Sequence, residues 1–214
     1  MNSAVAATNM YNGESHMPVL KRLLPVFIAL FMPWSAIAEE AIFAGGCFWC
    51  MEKPFEQLDG VTAVISGYSG GKTANPTYRN YGSGGHIEVV KVIFDPARVS
   101  YEQLLDVFWR QIDPTDSGGQ FVDRGFEYST AIYYLNKNQL NRATASKKRM
   151  NESGVFGAPI VTPIKPASRF YAAEDYHQDY YSKNPVRYWY YRSRSGRDDY
   201  LKSIWGEAAA VTHP

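Results

Sequence analysis

Runs of apolar and β-branched residues along the chain predict a set of short strands. The runs cover residues 41–44, 61–65, 86–94, 128–135 and 160–164. The third run is apolar on both faces, so it predicts a central strand that is covered on both sides. The last run contains Pro163, which places it at a sheet edge because proline cannot donate a hydrogen bond to a neighbouring strand.

Stretches with helical periodicity lie between these runs. After the first strand, Phe55 and Leu58 mark the apolar side of a helix that ends at Gly60. Proline fits only the first turn of a helix, so Pro54 predicts that regular helix begins at residues 50–52 or is kinked there. In either case the preceding residues lie near the helix N-terminus.

Three further helices are predicted from the pattern. Ser100 and Gln103 form a capping box, which opens a helix with a buried apolar stripe. The stripe comprises Leu104, Leu105, Phe108, Trp109 and Ile112. Residues 138–151 predict a polar, basic helix that ends at Gly154, and residues 173–181 predict another helix.

The order of these elements predicts an α+β fold. Strand, helix, strand, strand, helix, strand with appended helices is the order of a two-layer sandwich of ferredoxin-like type. Two glycine-rich or polar stretches, residues 67–85 and 115–127, are predicted to be long loops at the active site. The residues after Pro185 show no clear periodicity and are predicted to wrap the surface as a C-terminal extension.

The first 38 residues have the pattern of a leader rather than of a folded domain. Residues 1–16 are polar, and Met17 opens a basic region, an apolar run over residues 23–32 and a small-x-small site that ends at Ala38. We predict translation from Met17, cleavage after Ala38 and export to the periplasm. The alternative is an uncleaved membrane anchor, although the apolar run is shorter than the roughly 20 residues that a span needs.

Composition and charge narrow the class of protein. The chain has 214 residues and a formal net charge of +1 at pH 7, which argues against nucleic acid as the main partner. Residues 39–214 are long enough to form a single catalytic domain with a proper core. The aromatic share of 15% fits either an aromatic core or a pocket for an apolar ligand.

The two cysteines of the chain, Cys47 and Cys50, lie at the turn between the first strand and the first helix. Free N–H groups at a helix N-terminus favour an anion, so this position is expected to lower the pKa of Cys47 and favour the reactive thiolate. A structural disulfide is the alternative. However, a Cys-x-x-Cys bridge closes a very short loop and stabilises a fold little, which favours redox chemistry.

A carboxylate on an apolar strand is a second candidate for chemistry. Glu88 shares a strand face with Val90, Val92 and Phe94. Burial there would raise its pKa, so that it holds a proton and can serve as a donor. The alternative interpretation is a structural glutamate at the end of the strand, with a carboxylate that reaches solvent.

Metal binding is not expected, and no cofactor is predicted. A zinc site needs two more ligands beside the cysteine pair. The four histidines, His16, His86, His177 and His213, do not form a second paired motif. His177 is either a structural histidine or a member of the site.

Two other classes of protein remain open from the residues alone. A thioredoxin-like disulfide exchanger also uses Cys-x-x-Cys, but its element order differs. A non-catalytic peptide-binding module would use Phe48 and Trp49 as an aromatic platform, which leaves the cysteines beside them unexplained.

Five motifs in this order resemble one known family, the peptide methionine sulfoxide reductases of the A class, from about residue 41 to residue 180. The motifs are Gly46-Cys47-Phe48-Trp49, Asn75-Pro76-Thr77-Tyr78, Gly85-His86-Ile87-Glu88-Val89-Val90, Asp123-Arg124-Gly125 with Tyr128, and Ala173-Glu174-Asp175-Tyr176-His177-Gln178. The resemblance implies that the chain reduces methionine sulfoxide, free or within proteins, with specificity for the S epimer at sulfur. It also implies regeneration by a thioredoxin-type reductant.

The resemblance further implies the roles of individual residues. Cys47 would be the nucleophile, with Phe48 and Trp49 as the apolar wall around the S-methyl group. Glu88 would be the acid that serves the sulfoxide oxygen. The remaining candidates are Tyr78 and Tyr128 as hydrogen-bond donors to that oxygen, Asp123 in the lining, and His86 and His177 immediately behind the site.

This sequence departs from the common family pattern at two places. Position 50 is often glycine, with the resolving cysteine in a flexible tail, whereas here the tail has no cysteine. Cys50 is therefore the candidate that converts a Cys47 sulfenic acid into a Cys47–Cys50 disulfide. Glu127 and Ser129 also replace the glutamine and arginine that often flank the tyrosine, which changes the local charge pattern around Tyr128.

Overall fold

A computed structural model of the chain describes Met1 and residues 37–206. The predicted leader lies almost entirely outside these residues. Ser35–Pro214 forms one compact unit, and the other unit, Met1–Trp34, is described only at Met1. Among the described residues, no helix has both the length and the apolar character needed to cross a membrane.

The long strands and the first three helices follow the order that the sequence pattern predicts. The strands are β1 Glu39–Gly45, β2 Val61–Ser69, β3 Ile87–Phe94, β4 Gly119–Gln120, β5 Asp123–Arg124, β6 Thr130–Tyr134, β7 Ile164–Pro166 and β8 Tyr171–Ala172. The helices are α1 Phe48–Glu56, α2 Tyr101–Trp109, α3 Lys137–Ser153, α4 Tyr180–Lys183, α5 Pro185–Arg194 and α6 Arg197–Trp205, with a 3-10 turn at Phe126–Tyr128.

The main sheet has the strand order β7-β6-β1-β3-β2-β8. Its four central strands are antiparallel to one another, with β3 between β1 and β2 and with β6 on the other side of β1. Together with α1 and α2, this order confirms the predicted α+β sandwich of ferredoxin-like type. The short strand β7 is parallel to β6 and lies at the sheet edge, as the prolines of that region indicate.

Apolar side chains cover both faces of the central strand β3. On the helix face, Val90, Val92 and Phe94 join a core in which the Phe43 ring stacks on the rings of α1 and α2. On the opposite face, Val89 packs in a smaller cluster that Phe170 partly covers. Glu88 is buried on the strand that supplies both clusters, as predicted.

The first helix begins earlier than Pro54 suggested. Helix α1 starts at Phe48, directly after Cys47 at the N-cap, and it includes Pro54. Proline has no N–H to donate to the carbonyl four residues before it, which is that of Cys50. The Arg192 guanidinium donates to the Cys50 carbonyl instead, at 3.1 Å, so the helix continues past the proline with that carbonyl satisfied.

Three predicted strands differ in their bounds. Strand β2 continues to Ser69, into the stretch that was predicted to be the first long loop. The run at residues 128–135 forms a strand only from Thr130, because Tyr128 lies in the 3-10 turn. The edge strand is Ile164–Pro166 rather than residues 160–164. The capping box at Ser100 and the helix end at Gly154, which has a φ of 68°, are as predicted.

The predicted helix over residues 173–181 is wrong. The chain forms β8 and then turns, and only α4 is helical in this region. The reason is that its polar side chains bond to other segments: Glu174 accepts from the Tyr78 N–H, and Gln178 exchanges two hydrogen bonds with the backbone of Ser66. These contacts hold the segment against the sheet in a non-helical form.

The C-terminal extension also differs from the expectation, because it forms the two helices α5 and α6. Pro185 opens α5 at its first turn, where proline is favoured. The side chains that α5 buries are Tyr188 and Arg192, and those of α6 are Arg197 and Leu201. Helices that bury arginine lack an apolar stripe, which is why the pattern did not predict them.

Candidate active site

The turn between β1 and α1 places both cysteines at the end of the central sheet. Gly46 has a φ of 77°, and a Cβ atom there would lie 2.6 Å from the Cβ of Gln120. Only glycine fits such a turn without strain. The sharp turn makes Cys47 the N-cap of α1 and leaves the Phe48 N–H free to bind a partner outside the helix.

A cavity of about 80 Å³ opens at this turn. It is lined by Cys47, Phe48, Trp49, Tyr78, Glu88, Asp123, Tyr128 and Tyr191. The structure therefore brings the predicted nucleophile, the predicted acid and the five predicted substrate-binding residues to one cavity. Tyr191 was not predicted. Cys50 does not line the cavity and is fully buried behind Cys47.

Glu88 is held by two donors at the inner end of the cavity. The Phe48 N–H donates to Oε2 at 2.9 Å, and the Tyr81 hydroxyl donates to Oε1 at 3.0 Å. Burial raises the pKa of Glu88 to about 8, against these two hydrogen bonds, which lower it. The carboxyl group therefore carries a proton at neutral pH.

Tyr81 is a residue that the sequence analysis missed. Its N–H donates to the Thr77 carbonyl, so Tyr78 and Tyr81 project from a single turn of the glycine-rich loop. The Tyr81 ring stacks on Tyr78 and on Tyr68, with centroids 6.0 Å and 4.7 Å apart. The spacing of three residues between the two tyrosines was a signal that could have identified Tyr81.

Phe48 and Trp49, the aromatic wall of the cavity, are held in place by residues that pack against them. The Trp49 ring stacks on Tyr180 at 3.7 Å, and its Nε1–H donates to Nδ1 of His177 at 3.1 Å. His177 is also in ring contact with Phe48 and Tyr78. Burial lowers the pKa of His177, so the imidazole stays neutral and can accept from Trp49. His177 thus lies immediately behind the site.

His86 is not brought to the cavity. Its ring nitrogens bond to the Gly71 N–H and the Thr73 carbonyl, which secures the start of the glycine-rich loop. At the other side of the cavity, Glu174 accepts from the Tyr78 N–H and from the Tyr68 hydroxyl. The contacts of His86 and Glu174 together hold the loop that carries Tyr78 in place.

Asp123 and Tyr191 form a pair on the side of the cavity opposite the loop. The Tyr191 hydroxyl, from α5, donates to Oδ2 of Asp123. Burial raises the pKa of Asp123, while this hydrogen bond and Arg197 lower it. Tyr128 interacts with Tyr81 and so approaches Glu88 from the 3-10 turn. The cavity is thus bordered by hydroxyl groups on two sides.

Both cysteines are free thiols, and their side chains are hydrogen-bonded to each other. Burial raises the pKa of Cys47, and Cys50, Glu88 and Asp123 add to the rise. The pKa of Cys50 is lowered by the hydrogen bond from Cys47, then by Arg197 and Arg192, against burial. The expectation that the helix N-terminus lowers the pKa of Cys47 is therefore wrong: burial raises it, and the lowered pKa of the pair is that of Cys50.

Metal ligands are not grouped in this part of the chain. Within residues 37–206, no cluster of three or more histidine, cysteine, aspartate or glutamate side chains could hold a metal ion. Chemically, the arrangement offers a thiol at the cavity with a second thiol hydrogen-bonded behind it, a carboxyl group whose pKa is raised, and an aromatic wall.

Comparison with known proteins identifies the family. The model of the peptide methionine sulfoxide reductase family matches residues 39–209. A peptide methionine sulfoxide reductase MsrA 2 of Rhizobium meliloti is 51% identical over 91% of this chain and 100% of its own length. A Bacillus licheniformis MsrA is 55% identical over 78% of this chain and 94% of its own length.

Solved structures agree with the sequence matches. Methionine sulfoxide reductase A of Corynebacterium diphtheriae superposes with a TM-score of 0.65 at 34% identity, over 70% of this chain and 76% of that one. Reduced Mxr1 of Saccharomyces cerevisiae gives a TM-score of 0.66 at 29% identity, over 71% of this chain and 88% of that one. The chain therefore belongs to the peptide methionine sulfoxide reductase family, class A, and is an enzyme that reduces methionine sulfoxide.

Proposed function

We propose that this enzyme reduces the S epimer of methionine sulfoxide, free or in proteins, through a Cys47 sulfenic acid and a Cys47–Cys50 disulfide. A thioredoxin-type reductant then restores the two thiols. The observation that carries the proposal is the shared cavity, in which the Cys47 thiol and the protonated Glu88 carboxyl face the same small space.

The first step transfers oxygen from the substrate to Cys47. A sulfoxide sulfur is a poor electrophile until its oxygen is protonated, and Glu88 holds a proton at neutral pH. Cys47 gives its own proton to the hydrogen-bonded Cys50 thiolate and attacks as the anion. Methionine leaves, Cys47 becomes a sulfenic acid, and Glu88 is left as a carboxylate.

The second step closes the disulfide and releases water. Cys50 attacks the Cys47 sulfur, the S–O bond breaks, and the proton that Cys50 received leaves with the oxygen. One proton of the water thus comes from the thiol pair and the other from Glu88. Glu88 then regains its proton from solvent, since its pKa of about 8 lies above neutral pH.

Selectivity for one epimer follows from three fixed contacts. Phe48 and Trp49 receive the methyl group, Glu88 meets the oxygen, and Cys47 meets the sulfur. The fourth direction at sulfur is the open mouth of the cavity, which the rest of the substrate must use. A mirror-image sulfoxide cannot make all three contacts from that direction, and the family resemblance assigns the accepted form as S.

The Cys50→Ser variant tests this sequence of steps. It should release one methionine per chain from one equivalent of sulfoxide, more slowly than the wild type because the serine hydroxyl is not an anion that can take the Cys47 proton, and then stop in the presence of a thioredoxin and its reductase. A reagent selective for sulfenic acid, such as dimedone, should label Cys47, and mass spectrometry should locate the adduct. Full cycling with thioredoxin, or methionine release without an adduct at Cys47, would contradict the proposal.

We also propose that the leader is removed after Ala38 and that the mature enzyme works in the periplasm. The first strand supports this boundary, because β1 begins at Glu39 and Glu39 is already paired with Phe94. Cleavage there leaves the sheet whole. Mass spectrometry of the exported protein should find an N-terminus at Glu39, and an intact N-terminus at Met1 or Met17 would refute cleavage.

A further inference from the structure

Helices α5 and α6 direct two arginines into the interior beside the cysteine turn. Arg192 is 3% exposed and Arg197 is 1% exposed. Arginine is rarely buried to this extent unless its charge is paired or its donors are satisfied. Asp198 forms an ion pair with Arg192, so the three side chains together leave one net positive charge in the interior beside the cysteine turn.

Arg192 is bound to the backbone of the helix that carries the resolving cysteine. Its Nη1 donates to the Cys50 carbonyl at 3.1 Å, in the place of the N–H that Pro54 lacks. Its Nε donates to Asp198 at 2.9 Å, and Nη2 donates to Gln111 at 3.2 Å. The guanidinium is thus held in one orientation against the turn that contains Cys50.

Arg197 lies beneath the preceding turn. Its Nη2 donates to the Gly45 carbonyl at 3.0 Å, and a Cβ atom added to Gly46 would lie 3.2 Å from that nitrogen. Its Nη1 donates to the Gln111 carbonyl, and the guanidinium stacks on Phe121 at 4.6 Å. Among residues 37–206, the ion pairs include no carboxylate bound to Arg197.

The charges around the two thiols are distributed unequally. Cys47 faces the acidic groups Glu88 and Asp123 at the cavity. Cys50 has no exposed surface, its carbonyl accepts from Arg192, and Arg197 and Arg192 lower the pKa of its thiol while Asp123 raises it. Negative charge is therefore favoured on the inner sulfur, because like charges repel at Cys47 and opposite charges attract at Cys50.

We propose that Arg192 and Arg197 are positioning residues for the disulfide chemistry, which keep one negative charge in the buried thiol pair and place it on Cys50. This inference rests on the proposed function, in which Cys50 resolves the sulfenic acid of Cys47. Without the two cations, only the hydrogen bond from Cys47 would oppose burial and Asp123, and the pKa of Cys50 would rise, so that less of the anion that starts the reaction would be present.

The positive charge of Arg192 and Arg197 also favours the regeneration step. The thiolate of the reductant can reach Cys47, which lines the cavity, whereas Cys50 is closed off. The electron pair of the reductant thiolate forms a bond to the Cys47 sulfur, and the electron pair of the Cys47–Cys50 bond passes to Cys50. Cys50 then leaves as a thiolate, which the two cations stabilise, and a better-stabilised thiolate leaves faster.

The test isolates Cys50 in the Cys47→Ser background and follows its ultraviolet thiolate absorbance against pH. We expect Cys50 to titrate clearly below the ordinary thiol value of about 8.5. Adding Arg192→Gln or Arg197→Gln should raise that pKa by about one unit or more, because each removes a buried cation. Arg192→Lys and Arg197→Lys should restore most of the shift, which a merely structural role would not do.

Arg194→Gln is the matched control. Arg194 lies on α5 two residues from Arg192, is exposed and rests on the Tyr190 ring at 4.4 Å, so its loss removes the same charge without approaching Cys50. It should leave the Cys50 pKa unchanged. Circular dichroism checks that each variant folds. If the glutamine variants do not fold, the pKa of Cys50 in Cys47→Ser alone decides whether the proposal stands.

The outcomes separate this inference from the proposed function. A Cys50 pKa of about 8.5 or higher in folded Cys47→Ser, or no rise in the folded glutamine variants, overturns the role of the arginines. The titration needs no turnover, so that result would stand even if the wild-type enzyme released methionine normally. Absence of methionine release with the expected titration would instead refute the proposed mechanism alone.

Discussion

The Cys47→Ser variant is expected to lose reduction of methionine sulfoxide completely. A serine hydroxyl at the N-cap of α1 fits the same space, but it is not ionised at neutral pH and cannot accept oxygen from the substrate as a sulfenic acid does. Methionine release, measured in a single turnover and with a thioredoxin system, should fall below detection. The loss is chemical because the substitution changes one buried atom.

Cys50→Ser is the natural control for that variant. It makes the same substitution one helical turn away, also in a buried position, and should retain the first methionine release at a reduced rate. Equal thermal unfolding of the two variants would show that the fold is unchanged. Retained turnover in Cys47→Ser would remove Cys47 from the role of nucleophile.

Glu88→Gln is expected to slow the first step by about 100-fold or more, within the range seen when a general acid is lost. The glutamine oxygen can accept from the Phe48 N–H, and its NH2 group can donate to the Tyr81 hydroxyl oxygen, so both contacts of Glu88 can persist. It has no acidic proton to give to the sulfoxide oxygen. Single-turnover methionine release with the S epimer measures the effect.

The pH dependence separates acid catalysis from a role in binding. Burial raises the pKa of Glu88 to about 8, so the protonated form persists below that pH and is lost above it. The wild-type rate of methionine release should therefore fall as the pH rises through about 8, and Glu88→Gln should lack this fall. An unchanged single-turnover rate in Glu88→Gln would exclude Glu88 from the mechanism.

The parts of the fold that could be predicted depend on local patterns. The capping box at Ser100, the strand that carries Glu88 and the glycine turn at Gly46 are encoded by neighbouring residues. The order of the elements was then sufficient for the ferredoxin-like class, because few topologies fit that order. The predicted start of α1 near Pro54 was wrong because Arg192, which is distant in sequence, satisfies the Cys50 carbonyl that the proline leaves free.

The parts of the site that could not be predicted depend on distant contacts. Tyr191 meets Asp123 across 68 positions, and Arg192 meets the backbone of Cys50 across 142. No periodicity marks α5 as an inward-facing helix, because it buries an arginine instead of an apolar stripe. The position of the shared proton could not be predicted either, since it depends on charges that only the folded chain brings together.

The central claim is that the Cys47 sulfur and a protonated acid face a single S–O bond in one cavity, with the Cys50 thiol buried behind Cys47. The most direct test is a single turnover of the reduced wild-type enzyme with the separated sulfoxide epimers, followed by counting of the remaining thiols. The account predicts one methionine per chain from the S epimer, none from the R epimer, and loss of both thiols. Exchange with protein disulfides without methionine release from either epimer would contradict it.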